Sequence, residues 1–443
     1  MGSVKQCLRR VGVLGRSTSG GRVFDGTSGL RSVELCARSG VMTRSSTTSL
    51  GTAAGEGQQH EEGTTSSSLL SVAPMMEWTD VHYRTLARLM TRRTLLYTEM
   101  IVDKTLVFQD KAGNSLDRYL HFPELQHPVV LQLGGNKASE LEAAVNLAVA
   151  YGYDEINLNC GCPSPRVSGK GCFGAALMKE PSTVREIVES MARASPVPVT
   201  VKCRLGVDDN DTYPELVEFV KRTSEGLPIH HYVIHARKAF LKGLSPAQNR
   251  NVPPLKYDWV YQLSQDFPHL QFSLNGGVQN LEEARELLDR RGEAGGRLHG
   301  VMIGRAAYQR PWHTLSDADR AIYGESENPC TSRRQLLTAY SQLCDGKIEA
   351  YSKAFGCKPG QVIRKMVKPL LGMFYAEPGT SKWKKSLESM LQSGSAKSVG
   401  EIVLKGMVHI PEEILDASPQ AKLVHETRTD DEGNKKRVFS MVE

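Results

Sequence analysis

The chain has 443 residues, of which 40% are hydrophobic and 23% are charged. This length accommodates a barrel with an additional domain, and the composition is that of an ordinary globular protein. No apolar run approaches the roughly 18–20 residues that a membrane span needs, so we expect no membrane contact. The nine cysteines are odd in number and follow no secretory signal, which indicates reduced thiols.

The net charge of +6 is concentrated at the N-terminus. Residues 1–55 hold eight basic and two acidic residues, which leaves 47 of each in the rest of the chain. A nucleic-acid surface would therefore be a local patch. Residues 1–66 are rich in Arg, Ser, Thr and Gly, which is typical of an organellar transit peptide, with a disordered leader as the alternative. We expect a protein of the mitochondrion or chloroplast, with the cytoplasm as the alternative.

From residue 69 onward, short apolar segments alternate with amphipathic ones. The apolar segments predict eight strands, at residues 70–74, 95–100, 129–133, 155–159, 199–202, 232–235, 271–275 and 300–304. Apolar residues at helical spacing lie between them, and Asn280 is typical of a helix N-cap. Eight such units over residues 67–318 predict a TIM (β/α)8 barrel. A doubly wound open sheet is the alternative, but no G-x-G-x-x-G motif follows the first strand.

After residue 318 the strand pattern stops. Ser332 and Gln335 have the spacing of a capping box, and apolar residues then recur at helical spacing. We therefore predict a C-terminal all-helical domain over residues 319–400, packed on the barrel. Residues 401–443 are less regular and end in a polar stretch, which predicts a partly disordered extension.

The loop after the fourth predicted strand is the most distinctive segment of the chain. It contains Asn159, Cys160, Gly161, Cys162 and Pro163. In a TIM barrel the ligand groups lie at such C-terminal strand ends. Gly161 lets the backbone approach a ligand closely, and Pro163 stiffens the loop. We interpret Cys162 as a catalytic acid, with a buried structural thiol as the alternative.

The other strand ends carry a consistent set of polar groups and glycines. They are Pro74, Met75 and Met76 after the first strand, Gln132 in the third, Lys202 in the fifth, His235 in the sixth, Asn275, Gly276 and Gly277 in the seventh, and Gly304 and Arg305 in the eighth. Glycine turns after the last two strands are typical of the barrel phosphate site. A lysine at a strand end is costly to bury without an anion. The set suits flavin mononucleotide (FMN), although each residue alone also has a purely structural explanation.

Seven motifs in one order resemble the tRNA-dihydrouridine synthases, and the long loop after the sixth strand is similar to the A-type subfamily. The motifs are residues 72–80, 96–100, 131–135, 159–164, 201–204, 234–246 and 275–278. The resemblance covers about residues 69–390. It implies a barrel that binds FMN, uses NADPH as reductant and holds tRNA with the helical domain. We expect a monomer.

The resemblance also implies roles for individual residues. It assigns to FMN binding Pro74, Met75, Met76, Gln132, Lys202, His235, Asn275, Gly276, Gly277, Gly304 and Arg305. It assigns to nucleic-acid binding Asn159, Arg204, Arg250 and Lys384. Hydride would pass from N5 of FMN to C6 of a D-loop uridine, at roughly positions 20 and 20a, and Cys162 would give a proton to C5. A thiol with an ordinary pKa near roughly 8.5 is protonated at neutral pH and is a competent acid.

Three other interpretations stay open at this point. Another FMN barrel would act on a free pyrimidine or a small enone, which turnover of free uridine would reveal. An RNA-binding protein without flavin would not need the set of polar side chains at the strand ends. A metal site at Cys160, Cys162 and Cys172 lacks a second Cys/His pair, so we expect no metal. The basic cluster Arg364, Lys365 and Lys368 suits either phosphate contacts or a solvated helix face.

Overall fold

The computed structural model of the protein describes residues 68–168, 173–293, 295–429 and 435–442. The predicted leader, residues 1–66, lies outside the described residues, and so does Cys172. Within the described ranges, no helix is both long enough and apolar enough to span a bilayer.

Eight parallel strands close into a barrel, which confirms the predicted TIM fold. In order around the barrel they are β1 (Leu70–Val72), β2 (Leu95–Tyr97), β4 (Val129–Gly134), β5 (Glu155–Cys160), β6 (Val199–Arg204), β7 (His231–His235), β8 (Gln271–Asn275) and β9 (Gly300–Ile303). Each strand pairs with its neighbour in this order, and β9 pairs with β1 to close the ring. The predicted bounds hold within two residues for seven of the eight strands.

The second predicted strand, residues 95–100, is wrong in its second half. β2 ends at Tyr97, and a short strand β3 (Ile101–Val102) resumes pairing with β4. Between the pairs Tyr97–Val130 and Ile101–Leu133 the first segment has one residue more than β4, so the chain forms a bulge. The Thr98 hydroxyl accepts the Gln132 N–H there at 3.0 Å, in place of a backbone carbonyl. Glu99 and Met100, which are discussed below, belong to this bulge.

Helices follow the strands around the outside of the barrel. They are α1 (Val81–Met90), α2 (Asp103–Lys111), α3 (Asp117–Leu120), α4 (Ala138–Val149), α5 (Pro165–Ser168), α6 (Pro181–Ala194), α7 (Tyr213–Ser224), α8 (Tyr257–Asp266), α9 (Leu281–Asp289), α10 (Arg305–Gln309), α11 (Pro311–Leu315) and α12 (Ala318–Tyr323). Helix α6 illustrates their packing, since Val184, Ile187, Val188 and Met191 are all fully buried at a spacing of three or four residues. Each such side chain contributes roughly 1.5–3 kcal/mol of hydrophobic stabilisation.

A helical region follows the barrel. Its helices are α13 (Arg333–Asp345), α14 (Ile348–Phe355), α15 (Pro359–Val367), α16 (Thr380–Ser393), α17 (Val399–Met407) and α18 (Glu412–Asp416). The predicted N-cap Asn280 of α9 is confirmed, because its side chain accepts the Glu283 N–H at 2.8 Å. The capping box at α13 is half formed. Ser332 accepts the Gln335 N–H at 3.2 Å, but the Gln335 side chain bonds to the N–H of Thr331.

Residues 401–443 hold more regular structure than the sequence predicted. Helix α17 crosses the predicted boundary at residue 400, because Ser398 caps it by accepting the Glu401 N–H at 3.0 Å. The antiparallel strands β10 (Lys422–Thr429) and β11 (Lys435–Val442) then form a hairpin. No strand was predicted beyond residue 318. The two strands are largely polar, so they lack the apolar alternation by which a strand is recognised.

Candidate active site

A cavity of about 490 Å³ lies at the C-terminal end of the barrel. Every residue that was predicted to bind FMN lines it, together with Asn159, Cys162, Arg204 and Arg250. Strand geometry explains this convergence, since alternate residues of each strand point into the barrel. Lys384 is not among the lining residues but lies on α16, so its contact with nucleic acid stays a prediction.

A continuous row of side-chain hydrogen bonds runs beneath the cavity across β4, β5 and β6. Asn159 Nδ2 donates to Gln132 Oε1 at 2.8 Å, and Gln132 Nε2 donates to Asn157 Oδ1 at 2.9 Å. Asn157 Nδ2 then donates to the Thr200 hydroxyl at 2.9 Å, and that hydroxyl donates to Glu155 Oε1 at 2.5 Å. Five side chains therefore form one row that ends on a carboxyl group.

The upper end of this row imposes its hydrogen-bond direction. At the upper end Asn159 Oδ1 accepts the backbone N–H groups of Gly161 and Cys162, at 3.1 and 3.0 Å, and a backbone N–H can only donate. At the lower end Glu155 Oε1 accepts from Thr200. The amide of Gln132 is therefore fixed in orientation before any ligand binds. Sequence analysis missed Asn157, Thr200 and Glu155, whose signal was a polar residue at every second position of two apolar strands.

The backbone of Cys162 is held from the opposite side by Gly174. The Cys162 carbonyl accepts the Ala175 N–H at 3.0 Å. Gly174 has φ of +67°, and a Cβ atom there would lie 2.6 Å from the same carbonyl oxygen, so a side chain would displace it. Asn159 and Gly174 together fix the loop that carries the thiol.

The Cys162 thiol is half-buried and faces the cavity. Burial raises its pKa, against smaller opposing effects of the Ser164 backbone and of Arg204, Arg250 and Lys202. The thiol therefore keeps its proton at neutral pH, as a general acid requires. The neighbouring Cys160 differs, because it is fully buried and burial holds its pKa well above the ordinary range. In the described ranges no three His, Cys, Asp or Glu side chains come together as a metal site would need.

Lys202 and His235 fit the flavin ring and its ribityl chain. Lys202 Nζ donates to Asn275 Oδ1 at 2.9 Å, and burial, with Arg204 nearby, lowers its pKa to about 7. An anionic group such as the N1–O2 edge of a flavin would stabilise the protonated form of this lysine. His235 Nδ1 is buried and has no hydrogen-bond partner among the described residues. An unsatisfied buried nitrogen at a cavity wall is what a bound ligand would satisfy.

The glycines that were predicted to bind the phosphate end of FMN also suit that role. Gly276 and Gly277 have φ of +114° and +86°, which only glycine adopts easily, and their turn leaves the backbone open to the cavity. At Gly304 the nearest neighbour of a Cβ atom would be Ala73 at 3.9 Å, so a side chain would extend into the cavity. Helix α9 begins at Leu281, after the first glycine turn.

Arg204, which was predicted to contact nucleic acid, lines the cavity but is bonded mainly to the protein, so that contact stays a prediction. It is only 4% exposed, its Nε donates to the Gly161 carbonyl at 2.9 Å, and its Nη1 donates to the carbonyls of Lys238 and Asn249. It thus joins the Cys162 loop to the loop that follows β7. Arg250, on that same loop, also lines the cavity and is exposed.

Comparison with known proteins gives a consistent result. The dihydrouridine synthase (Dus) family matches residues 71–409. A tRNA-dihydrouridine(20/20a) synthase of Vibrio vulnificus is 41% identical over 351 residues, which cover 79% of this chain and 99% of that protein. The protein of the same name from Escherichia coli (strain K12) is 42% identical over 340 residues, which cover 76% of this chain and 91% of that protein. The cofactors predicted above, FMN with NADPH as reductant, are those of this family.

Proposed function

Since the chain belongs to the dihydrouridine synthase family, whose members are flavin-dependent oxidoreductases, we propose that it reduces D-loop uridines of tRNA to 5,6-dihydrouridine at positions 20 and 20a. The observation that carries this proposal is the position of Cys162. Its protonated thiol lies in the same cavity as the residues that fit FMN. Reduction of a C5=C6 double bond needs one hydride and one proton, and with FMN bound in this cavity the sources of both would lie together.

The proposed chemistry divides between cofactor and protein. FMN held by Gln132, Lys202, His235 and the glycine turns would, once reduced by NADPH, supply a hydride to C6 of the uracil ring. The Cys162 thiol gives its proton to C5, so the C5=C6 double bond becomes a single bond and a thiolate remains. Arg204, Arg250 and Lys202 favour that thiolate, because their positive charges oppose the effect of burial on the Cys162 pKa. The thiolate then recovers a proton from solvent.

The substrate must present an unstacked base. A uridine in a folded RNA loop reaches a barrel cavity only if it is turned out of its stack. The remaining tRNA contacts would come from basic side chains on the loop after β7 and on the helical region, including Arg250 and Lys384. We propose further that the enzyme acts as a monomer and that residues 1–66 direct it to the mitochondrion or chloroplast, with the cytoplasm as the alternative.

Visible absorption spectroscopy tests the activity directly. Purified protein incubated with FMN should show a bound flavin spectrum that NADPH bleaches under anaerobic conditions. Unmodified tRNA added next should restore the colour, and free uridine at the same concentration should not. Mapping of the product tRNA should place dihydrouridine at positions 20 and 20a.

Other results would contradict the proposal in distinguishable ways. Colour restored equally well by free uridine or a small enone would indicate a different substrate class. A protein that stays colourless after incubation with FMN would exclude the enzymatic function.

A further inference from the structure

A second cavity, of about 590 Å³, lies next to the first, between the barrel and the helical region. Met76 and Met100 line both cavities and therefore lie between the two spaces. Barrel residues from the bulge after β2 form one wall. Phe355, Lys365 and Lys368 from the helical region form the opposite wall.

The lining of the second cavity combines the three kinds of group that bind a nucleotide. Phe355 and Tyr119 provide aromatic groups for stacking with a base. The Phe355 ring already stacks on Tyr351, with 5.2 Å between ring centroids, and Lys365 Nζ lies 5.7 Å from its centre. Lys365 and Arg118 provide positive charge for a phosphate group. The Glu99 carboxyl provides an acceptor for the N–H groups of a base edge.

Met76, which lies between the two cavities, is an exposed apolar side chain on a backbone that is held in place. Met76 is 61% exposed although it is a large hydrophobic residue. The next residue, Glu77, has φ of +63°, a conformation that a side chain other than glycine rarely adopts. Its N–H donates to the Glu99 carboxyl, and its carbonyl accepts Lys368 Nζ at 2.8 Å. The backbone next to Met76 is therefore held by residues from both walls of the second cavity.

We propose that the second cavity binds the nucleotide adjacent to the reacting uridine, and that Met76 is the wedge that keeps the two bases apart. Apolar side chains inserted between bases are a general means of holding an unstacked step open. Two cavities that share two lining residues suit two consecutive nucleotides of one strand. This inference rests on the proposed function, because it takes the first cavity to be the site of uridine reduction.

The arrangement also accounts for action at two adjacent positions. When uridine 20 occupies the first cavity, the base at 20a needs a place that does not force it back into the stack. A neighbouring cavity with aromatic and basic groups provides one. When 20a reacts, the strand shifts by one step and the flanking base again enters the second cavity.

A substrate without the neighbouring base tests the proposal most sharply. We would measure kcat/KM for reduction at position 20 with two tRNAs that differ only at 20a, where one carries uridine and the other an abasic site. Phe355→Ala and Lys365→Met should each lower kcat/KM about tenfold or more on the first tRNA, since base stacking and phosphate contacts are of that order. On the abasic tRNA the effect of Phe355→Ala should disappear, because no base is left to stack.

Matched controls separate this effect from a general loss of structure. Phe108→Ala removes an exposed phenylalanine of α2 outside both cavities and should leave both rates unchanged. Bleaching of bound flavin by NADPH should be the same in all variants, which confirms that the barrel is intact. Lys365→Met retains the length of the side chain, so it remains informative if Phe355→Ala folds poorly.

The proposal is overturned if Phe355→Ala lowers both rates equally, which would make the cavity a general tRNA contact, or if neither variant changes either rate. Wild-type protein that forms no dihydrouridine on either tRNA would instead overturn the proposed function, and this inference with it.

Discussion

Asn159 and Gln132 are joined by a hydrogen bond of 2.8 Å, in which Asn159 Nδ2 donates to Gln132 Oε1. This contact connects the loop of the proton donor to a side chain that was predicted to bind the flavin. Because Asn159 also accepts the N–H groups of Gly161 and Cys162, one amide fixes the positions of both. Asn159 is only 8% exposed, so in this structure it positions other groups more than it offers a surface to RNA.

Replacement of Asn159 by aspartate should therefore damage the site without changing its shape. A carboxylate still accepts the two N–H groups, but it cannot donate to Gln132 and places two acceptors face to face. We expect the free energy of unfolding to fall by about 1–3 kcal/mol, the cost of a buried unsatisfied polar group. We also expect weaker FMN binding. Chemical denaturation and flavin titration would measure the two effects.

The matched control is Asn114→Asp. Asn114 Nδ2 likewise donates to a glutamine oxygen, Gln109 Oε1 at 2.8 Å, but on the exposed surface of the barrel. Loss of that bond should change the stability by no more than about 0.5 kcal/mol. Equal effects of the two substitutions would show that the position of Asn159 in the row has no special importance.

The strand ends could be predicted from sequence, whereas the row beneath them could not. Gln132, Lys202 and His235 were recognised because parallel strands bring their C-terminal ends to one face of a barrel. Asn157 and Thr200 lie within strands, and their role depends on register. Asn157 is opposite Gln132 on one side and Thr200 on the other, which a single sequence does not reveal.

The bulge after β2 was missed for a related reason. Residues 95–100 were predicted as one continuous strand, because the interruption depends on the extra residue relative to β4. The bulge places Glu99 and Met100 beside the cavities, so a functional feature was hidden in a segment with an ordinary strand pattern. Arg204, which the family resemblance assigned to nucleic-acid binding, donates to protein carbonyls that its place in the sequence did not reveal, and its contact with nucleic acid stays a prediction.

Removal of the Cys162 thiol should slow reoxidation of the flavin by tRNA without affecting its reduction by NADPH. In Cys162→Ala, FMN binding and reduction by NADPH should be unchanged, because the thiol contributes to neither. Reoxidation of the flavin by tRNA should slow by about 10²–10⁴-fold, the usual contribution of a general acid. Stopped-flow absorbance with NADPH and then with tRNA measures each step.

Cys357→Ala is the corresponding control, since Cys357 is a free thiol of the helical region outside the cavity. It should behave as wild type in both steps. If Cys162→Ala reoxidises at the wild-type rate, another group must provide the proton.

The stability of the FMN-free protein should depend on pH through Lys202. Its pKa in the folded protein is about 7, because burial and Arg204 disfavour the charge, compared with 10.5 in the unfolded chain. The unfolded chain therefore binds more protons between pH 7 and 10.5. The cost of the protonated lysine is complete below pH 7 and is relieved as the pH rises. Within this range each pH unit should raise the free energy of unfolding by up to about 1.4 kcal/mol relative to Lys202→Met.

Denaturation of wild type and Lys202→Met at pH 7, 8 and 9 measures this difference, in which other titrating groups cancel. Lys384→Met, on α16 outside the cavity, should leave the wild-type slope unchanged. Saturation with FMN should flatten the wild-type slope, because an anionic edge of the flavin restores the charge on Lys202. A slope that is identical in wild type and Lys202→Met would contradict the assignment.

The stability of the helical region should depend on the buried ion pair between Arg333 and Glu377. Their side chains are 1% and 4% exposed, and the Arg333 guanidinium also lies 4.6 Å from the centre of the Trp312 ring. Arg333→Met leaves the Glu377 carboxylate buried without its partner, which should lower the free energy of unfolding by about 3–5 kcal/mol. The adjacent Arg334 pairs with Asp416 at 2.6 Å on the exposed surface, so Arg334→Met should cost at most about 1 kcal/mol. Chemical denaturation of the two variants compares neighbouring arginines of one helix that differ in burial, and equal losses would show that burial does not decide the strength of this pair.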